Sequence, residues 1–595
     1  MNVSYFLFTG FLLGMGLVFI RRDEKLLGGM LVGFSIFLFT ALMPWGAVKW
    51  LDGAHRGFHG WYAPRAGIVQ IAWYIASACL GLAAGLGASR HDGGYPGENP
   101  SDWVTPKETS RVDSALKMRV VGSGCKDGET FLGITAPGND ITIGPREREG
   151  HMQVVGPTRS GKSQFLLALA AQDMKERLPV FFMEAKGDRA DFDQFLKAAA
   201  LTGRVESVRY FNPQDARSMT FNPIRPVAGQ DSTAIANQIA RAIGREPSSS
   251  GEGQDYYRGV DYAKIQTMAE VFCSTGHAFT LRDCHDYFAY PEARDHALLL
   301  CPDKRLREAA RSEFVVSPDS SGLTSALRPW TTGALGELLN SYAPQIRLED
   351  VFERRQLAYF AVPVGHLQVL ANPLGRMVIS GLLSVAASRQ KADPKPGPAT
   401  VVLDEFAEFA TPVFASFVAT VGSAKLRTIL SHQDLGQLKR VQGMDKEAFD
   451  SVVFNNTSGC KVCFRTPDPD DAEFWAATLG THTTTSDTER VEGRLLGDHR
   501  TGDRSRRSVE EFKVHPNLLK SLEPGTALVL APGRGSGLVR TARVRGILDK
   551  IAVPALPIPP AEKGLDLRMA VPFYGEEPAA GSPAQAVPQT AGVKS

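Results

Sequence analysis

Gly156-Pro157-Thr158-Arg159-Ser160-Gly161-Lys162-Ser163 reads G-x-x-x-x-G-K-S, the pattern of a phosphate-binding loop. The apolar run His151-Met-Gln-Val-Val155 stands before it at strand length. Gln164-Phe-Leu-Leu-Ala-Leu-Ala-Ala171 follows it as a helix. A strand feeding a glycine-rich turn that opens a helix aims several backbone N–H groups at one point. Lys162 would then reach the β- and γ-phosphates of ATP, and the Ser163 hydroxyl would sit on Mg2+. Gln164 closes the nucleotide-binding stretch. The competing explanation is a chance glycine-rich turn, against which the flanking strand and helix speak.

Downstream, residues 179–183 form a second apolar run that ends in Glu184-Ala-Lys-Gly-Asp188. A helix is expected over 191–201 and a strand over 205–211. Strand and helix in alternation predict a parallel sheet covered on both faces. Upstream, short alternating runs at 117–121, 130–134 and 140–143 are expected as strands leading into the loop.

The pattern then changes. Between 232 and 340 helical runs dominate (234–243, 256–273, 304–314), which predicts an all-helical insertion. The α/β alternation resumes with a strand at 356–362 and a helix at 374–390. Next comes Thr400-Val-Val-Leu-Asp404-Glu405, an apolar strand ending in a carboxylate pair. Beside a phosphate loop such a pair serves as its acidic partner. Asp404 would hold Mg2+ through water, and Glu405 would orient and deprotonate the attacking water. Alone, the pair is equally an acidic turn.

The next strand, 428–431, ends at His432-Gln433. Polar residues at the carboxyl ends of parallel strands lie at the ligand edge, so Gln433 is expected to sense the γ-phosphate. His432 is assigned no role. Lys425 and Arg427 precede the strand; either is an arginine-finger-like group reaching a neighbouring subunit's phosphate or a plain surface charge. Residues 462–465 and 525–531 read as further strands. The basic run 500–507 reads as a loop, solvated or in contact with nucleic acid.

Composition sets the outer limits. The chain has 595 residues, 43% hydrophobic and 22% charged, with a formal net charge of +2; that near-neutrality excludes a bulk polyanion-binding protein. Seven scattered cysteines fit a reducing compartment rather than a disulfide framework. Cys460-Lys-Val-Cys463 lies in a strand-like run, where positions i and i+3 face opposite sides, so joint metal binding is not expected.

Three apolar runs, 3–20, 26–43 and 66–88, are each uncharged and long enough to cross a bilayer. The first lacks the positive leader of a cleavable signal. With Arg21, Arg22 and Lys25 inside, three crossings leave the ATP site in the cytoplasm; two crossings with an interfacial first run are the alternative. Residues 89–112 read as a polar linker. Proline and alanine dominate 551–595, a composition that predicts a disordered tail. The expected divisions are therefore 1–88, 89–112, 113–231, 232–340, 341–550 and 551–595.

In this order the motifs resemble the conjugative coupling proteins of type IV secretion systems, the TraG/TraD kind. The resemblance rests on the phosphate loop, Glu184-Ala-Lys-Gly-Asp188, Phe221-Asn-Pro-Ile224, Val401-Val-Leu-Asp-Glu-Phe-Ala-Glu-Phe409, Leu430-Ser-His-Gln-Asp-Leu-Gly-Gln-Leu438 and the segment 461–472. It implies a RecA-like motor with an all-alpha insertion and N-terminal membrane helices. It also implies a homo-hexameric ring at the inner membrane, with ATP and Mg2+ as cofactors. The implied partners are DNA, the relaxase with its accessory proteins, and the secretion channel. Carried over by position, Lys162 and Ser163 bind nucleotide and Mg2+, Asp404 and Glu405 are the acidic pair, and Gln433 is the strand-end glutamine. Arg159 stands where many members have glycine, the finger is open between Arg427 and Lys425, and three apolar runs exceed the usual two. Protein effectors are the alternative cargo. A chromosome translocase and a scaffold without turnover are the other rivals.

Overall fold

A computed structural model of the chain describes residues 110–557, apart from 125–127, 228–229, 247–253, 411–417, 419–420, 442–443, 456, 495–496 and 534. The three apolar runs, most of the expected linker and all but the start of the expected tail lie outside the described residues.

The described part opens with helix α1 (Ser110–Val120), strands β1 (Thr130–Thr135) and β2 (Asp140–Ile143), and β3 (Met152–Val155). The loop follows, then helix α2 (Lys162–Lys175), β4 (Val180–Glu184), α3 (Arg189–Leu201) and β5 (Val208–Phe211). Helices α4 (Ser232–Ile243), α5 (Gln254–Thr275), α6 (Leu281–Ala289), α7 (Pro291–Leu300), α8 (Lys304–Val316), α9 (Ser321–Leu327) and α10 (Gly333–Leu339) come next, followed by a short helix at Leu348–Glu353. The alternation resumes with β6 (Leu357–Ala361), α11 (Ala371–Lys391), β7 (Ala399–Leu403), β8 (Leu426–His432), α12 (Leu435–Lys439), β9 (Cys460–Cys463) and α13 (Pro469–Leu479). Strands β10 (Thr481–Arg494), β11 (Gly497–Phe512), β12 (Thr526–Ala531) and β13 (Gly535–Thr541) complete it.

Eleven strands form one mixed sheet in the order β2-β1-β13-β12-β9-β3-β8-β7-β4-β6-β5. From β9 to β5 every neighbour is parallel; β12, β13, β1 and β2 extend it antiparallel. The parallel strands are buried on both faces, the reason they read as continuous apolar runs. Val180 and Phe182 face α1, α2 and α3, whereas Phe181 and Met183 face α11 and the inserted helices. Cys460 and Cys463 likewise fall on opposite faces and are free thiols. The stretch Val364–Lys391 is long and apolar enough to cross a membrane, but Leu374, Met377, Val378, Leu382 and Val385 are buried in the core.

Two local expectations are corrected. Residues 117–121 are not a strand: α1 runs through Val120. Val112, Leu116 and Val120 recur every four residues and are all buried, a helical stripe stronger than the local alternation. The basic run 500–507 is not a loop either. It lies inside β11, which pairs with β10 as a separate two-stranded antiparallel ribbon.

Candidate active site

The sheet order assembles the site. Register places Val155 opposite His432 and Leu403 opposite Leu430. The ends of β3, β8 and β7 are therefore flush, with β8 between the loop strand and the acidic strand. The loop must also fit a tight space. A Cβ on Gly156 would stand 2.6 Å from Phe464 Cβ, and one on Gly161 would stand 3.0 Å from Gly525 N. Gly161 also takes φ 104° as it caps α2, a conformation that glycine adopts without steric cost. The Gly525 N–H donates to Ser160 C=O at 2.7 Å, and the Gly156 N–H donates to His432 C=O at 3.2 Å. Pro157, Thr158 and Arg159 form the crest, where Arg159 is exposed at φ 64°.

Lys162 is buried, with Nζ 3.2 Å from Glu405 Oε1 and 3.9 Å from Asp404 Oδ1. Ser163 Oγ donates to Asp404 Oδ2 at 3.3 Å, and Ser431 Oγ donates to Asp404 Oδ1 at 2.7 Å. Glu405 sits in the left-handed region, φ 54° and ψ 39°. A hydroxyl and a carboxylate a hydrogen bond apart are hard oxygen donors of the kind Mg2+ takes, so the residues present fit that ion. Gln433 follows the end of β8, and its N–H donates to Gln437 Oε1 at 3.0 Å.

Sequence reasoning assigned no role to Glu184, Lys186 and Asp191, which this edge gathers. Glu184 ends β4 and accepts the N–H groups of Lys186 at 2.6 Å and Gly187 at 3.0 Å. Burial raises its carboxyl to about 7; the two N–H donors oppose the rise, and Asp191 and Asp404 add to it. Lys186 stands at the rim. Burial disfavours its ammonium, but the carboxylates of Asp404, Glu405, Asp191 and Glu184 outweigh that and hold its pKa above the ordinary value. Glu184, Asp191 and Asp404 line a small cavity together with Ser163, Gln164 and Gln194. The available signal was a polar strand end, Glu184, in a sheet whose order was unknown.

Arg427 does not join the cluster within this chain. It is second in β8, at the amino end, where the register sets it beside Thr400. It is 7% exposed. Burial lowers its pKa, with Arg148 adding to that and Asp173 and Glu149 opposing it. Its guanidinium is enclosed at the sheet edge opposite the phosphate loop. Lys425 shares that edge and pairs with Glu149 at 3.0 Å.

Residues 398–523 match the family described as the TraM recognition site of TraD and TraG. The type 4 coupling protein DotL of Legionella pneumophila subsp. pneumophila is 20% identical, over a match covering 63% of this chain and 55% of that protein. The chain thus spans about half the length of the curated relative it matches. Among solved structures, the bacterial conjugative coupling protein TrwBdeltaN70, in its trigonal form with sulphate, superposes with a TM-score of 0.50 at 18% identity. That likeness covers 78% of this chain and 98% of that chain. It shows the fold, a mixed α/β architecture with a large parallel sheet. Together the matches support the resemblance to the coupling proteins of type IV secretion systems.

Proposed function

We propose that the chain is a P-loop ATPase of RecA-like type, anchored in the inner membrane, that delivers relaxase-bound DNA to a type IV secretion channel as a homo-hexamer. One observation carries this reading: Lys162, Ser163, Asp404 and Glu405 converge at the carboxyl edge of a parallel sheet, with Gln433 on the strand between. Lys162 would bind the β- and γ-phosphates, and the loop N–H groups of 156–163 would cradle them. Ser163 and Asp404 would hold Mg2+, which supplies charge neutralisation across the phosphates when bound. A γ-phosphate competes with Glu405 for the Lys162 ammonium. Once released, the Glu405 carboxylate is free to orient and deprotonate a water. Gln433 would contact the γ-phosphate from the strand end. Residues 398–523 would face an accessory relaxosome protein of the TraM kind, and the six divisions expected from sequence would form anchor, linker, split motor, helical insertion and tail.

Protein effectors are a second reading of the cargo. Two measurements test the proposal. The purified full chain should hydrolyse ATP, faster with single- or double-stranded DNA, and Lys162→Ala should abolish both rate and transfer in mating assays. A Lys162→Ala protein that still supports transfer overturns the motor. A wild type that binds nucleotide without turnover reduces the chain to a scaffold.

A further inference from the structure

His432 closes β8 and is fully buried. Four contacts converge on it. Its backbone C=O accepts the Gly156 N–H at 3.2 Å, the first residue of the phosphate loop. Its Nδ1 lies 2.8 Å from the Asp434 C=O. A carbonyl only accepts, so Nδ1 carries the proton. Nε2 is then the acceptor for Gln153 Nε2 at 3.0 Å, in the middle of β3. The ring meets the Phe406 ring edge-on, centroids 5.8 Å apart and planes at 75°; Phe406 directly follows Glu405. Burial, with the Lys162 charge adding to it and the Asp434 carbonyl opposing it, depresses the imidazole to about 3. The ring therefore stays neutral in one tautomer, and its two nitrogens are not interchangeable.

One side chain thus touches the strand that carries the phosphate loop, the residue after the general base, and the residue that follows Gln433. Asp434 extends the arrangement: its side chain caps α12 by accepting the Gln437 N–H at 2.7 Å, while Gln437 Oε1 accepts the Gln433 N–H. We propose that His432 is a positioning residue that fixes Gln433 and Glu405 relative to the phosphate loop, an inference that rests on the ATPase reading. A histidine that merely filled the core would be served as well by any ring of its size. Here an apolar ring keeps the Phe406 contact but leaves the Gln153 amide and the Asp434 carbonyl without this partner. The peptide between them then loses its fixed point.

The test uses the full chain and compares ATP kcat, KM and melting temperature for His432→Phe, His432→Asn and Gln153→Leu. Asn places an amide N–H near the Nδ1 position, so it keeps the Asp434 bond and loses the Gln153 bond. His432→Phe should lower kcat on the order of tenfold to a hundredfold, the scale of a small misplacement, with KM within about twofold because the phosphate contacts remain. His432→Asn should recover part of that loss. Gln153→Leu should match His432→Asn, and combining the two should cost no more than either alone, as for partners in one bond. Wild-type kcat in folded His432→Phe, or losses that multiply in the double variant, overturn the inference alone. A wild type without hydrolysis overturns the ATPase reading and this inference with it. If His432→Phe does not fold, Gln153→Leu and the double variant still decide.

Discussion

At the scale of single residues, Glu405 carries the most. It is held in the left-handed region, at a cost of roughly 1–2 kcal/mol for a residue with a Cβ. Its carboxylate meets Lys162 at 3.2 Å. Glu405→Gln keeps the shape and an oxygen for Lys162 but removes the carboxylate proposed as the base. Hydrolysis should fall about 10²- to 10⁴-fold with ATP affinity within a few-fold, measured by turnover and nucleotide titration. Equal losses in binding and turnover would assign Glu405 to binding instead. Glu184 yields a pH prediction. Its folded carboxyl is raised to about 7 from 4.5, so the folded chain holds a proton that the unfolded chain has released. That contribution is full below about pH 4.5 and is lost as pH rises through about 7. Its ceiling is about 3.5 kcal/mol, at about 1.4 kcal/mol per unit. In nucleotide-free buffer, Glu184→Gln should therefore gain melting temperature relative to wild type between pH 5 and pH 8. A difference that does not move with pH removes Glu184 as its source. Lys162, Ser163, Asp404 and Glu405 were legible in the sequence because each lies in a motif whose chemistry is fixed by residue type and spacing. Ser431, Lys186 and His432 were not, because their meaning depends on which strands are neighbours. Arg427 is close to Gln433 in sequence, but six residues along a strand set them about 20 Å apart, at opposite ends of β8.

At the scale of elements, α1 shows how two periodicities compete. Lys117-Met-Arg-Val-Val121 alternates well enough to resemble a strand. Over a longer window Val112, Leu116 and Val120 align on one face and pack with Phe131 and the α2 side chains in one core. The helix is also tied to the chain's far end, where Arg543 bonds Asp113 at 3.0 and 3.1 Å. That pair is about a third exposed and contributes little; the buried stripe holds the helix. Leu116→Ala should therefore destabilise by about 2–5 kcal/mol, and Asp113→Asn by under about 1 kcal/mol, in denaturant or thermal melts. The reverse ranking would mean that the ion pair, not the stripe, docks α1. Strands β3 to β9 were legible because burial on both faces writes them as apolar runs. The ribbon β10–β11 was not, because its residues are largely polar and charged, a composition that also describes a loop.

At the scale of the whole molecule, the parallel half of the sheet followed from the alternation of strands and helices. The antiparallel half did not, because β13 pairs with β1 across some four hundred residues and no local pattern encodes such a partner. That closure matters for the site: the turn before β12 brings Gly525 against Ser160, so the segment that leads into β12 and β13 braces the phosphate loop. What the single chain leaves unbalanced is charge. Asp404, Glu405 and Asp191, joined by Glu184 once it loses its proton, face Lys162 and Lys186, with Arg159 at the rim, and magnesium-bound ATP adds further negative charge. The arginine expected to answer it, Arg427, is enclosed at the opposite edge. Transition-state charge on the γ-phosphate calls for a cation close by, and in the proposed homo-hexamer a neighbouring subunit would supply one without further burial in this chain. The rate per chain should then depend on assembly. On dilution of the full chain in detergent, turnover per subunit should fall in parallel with loss of the ring, followed by light scattering on the same samples. Nucleotide affinity should change little, since Lys162 and the loop lie within one chain. A turnover per subunit that stays constant while rings dissociate would mean that each chain completes its own site, with Lys186 or Arg159 as the remaining cation.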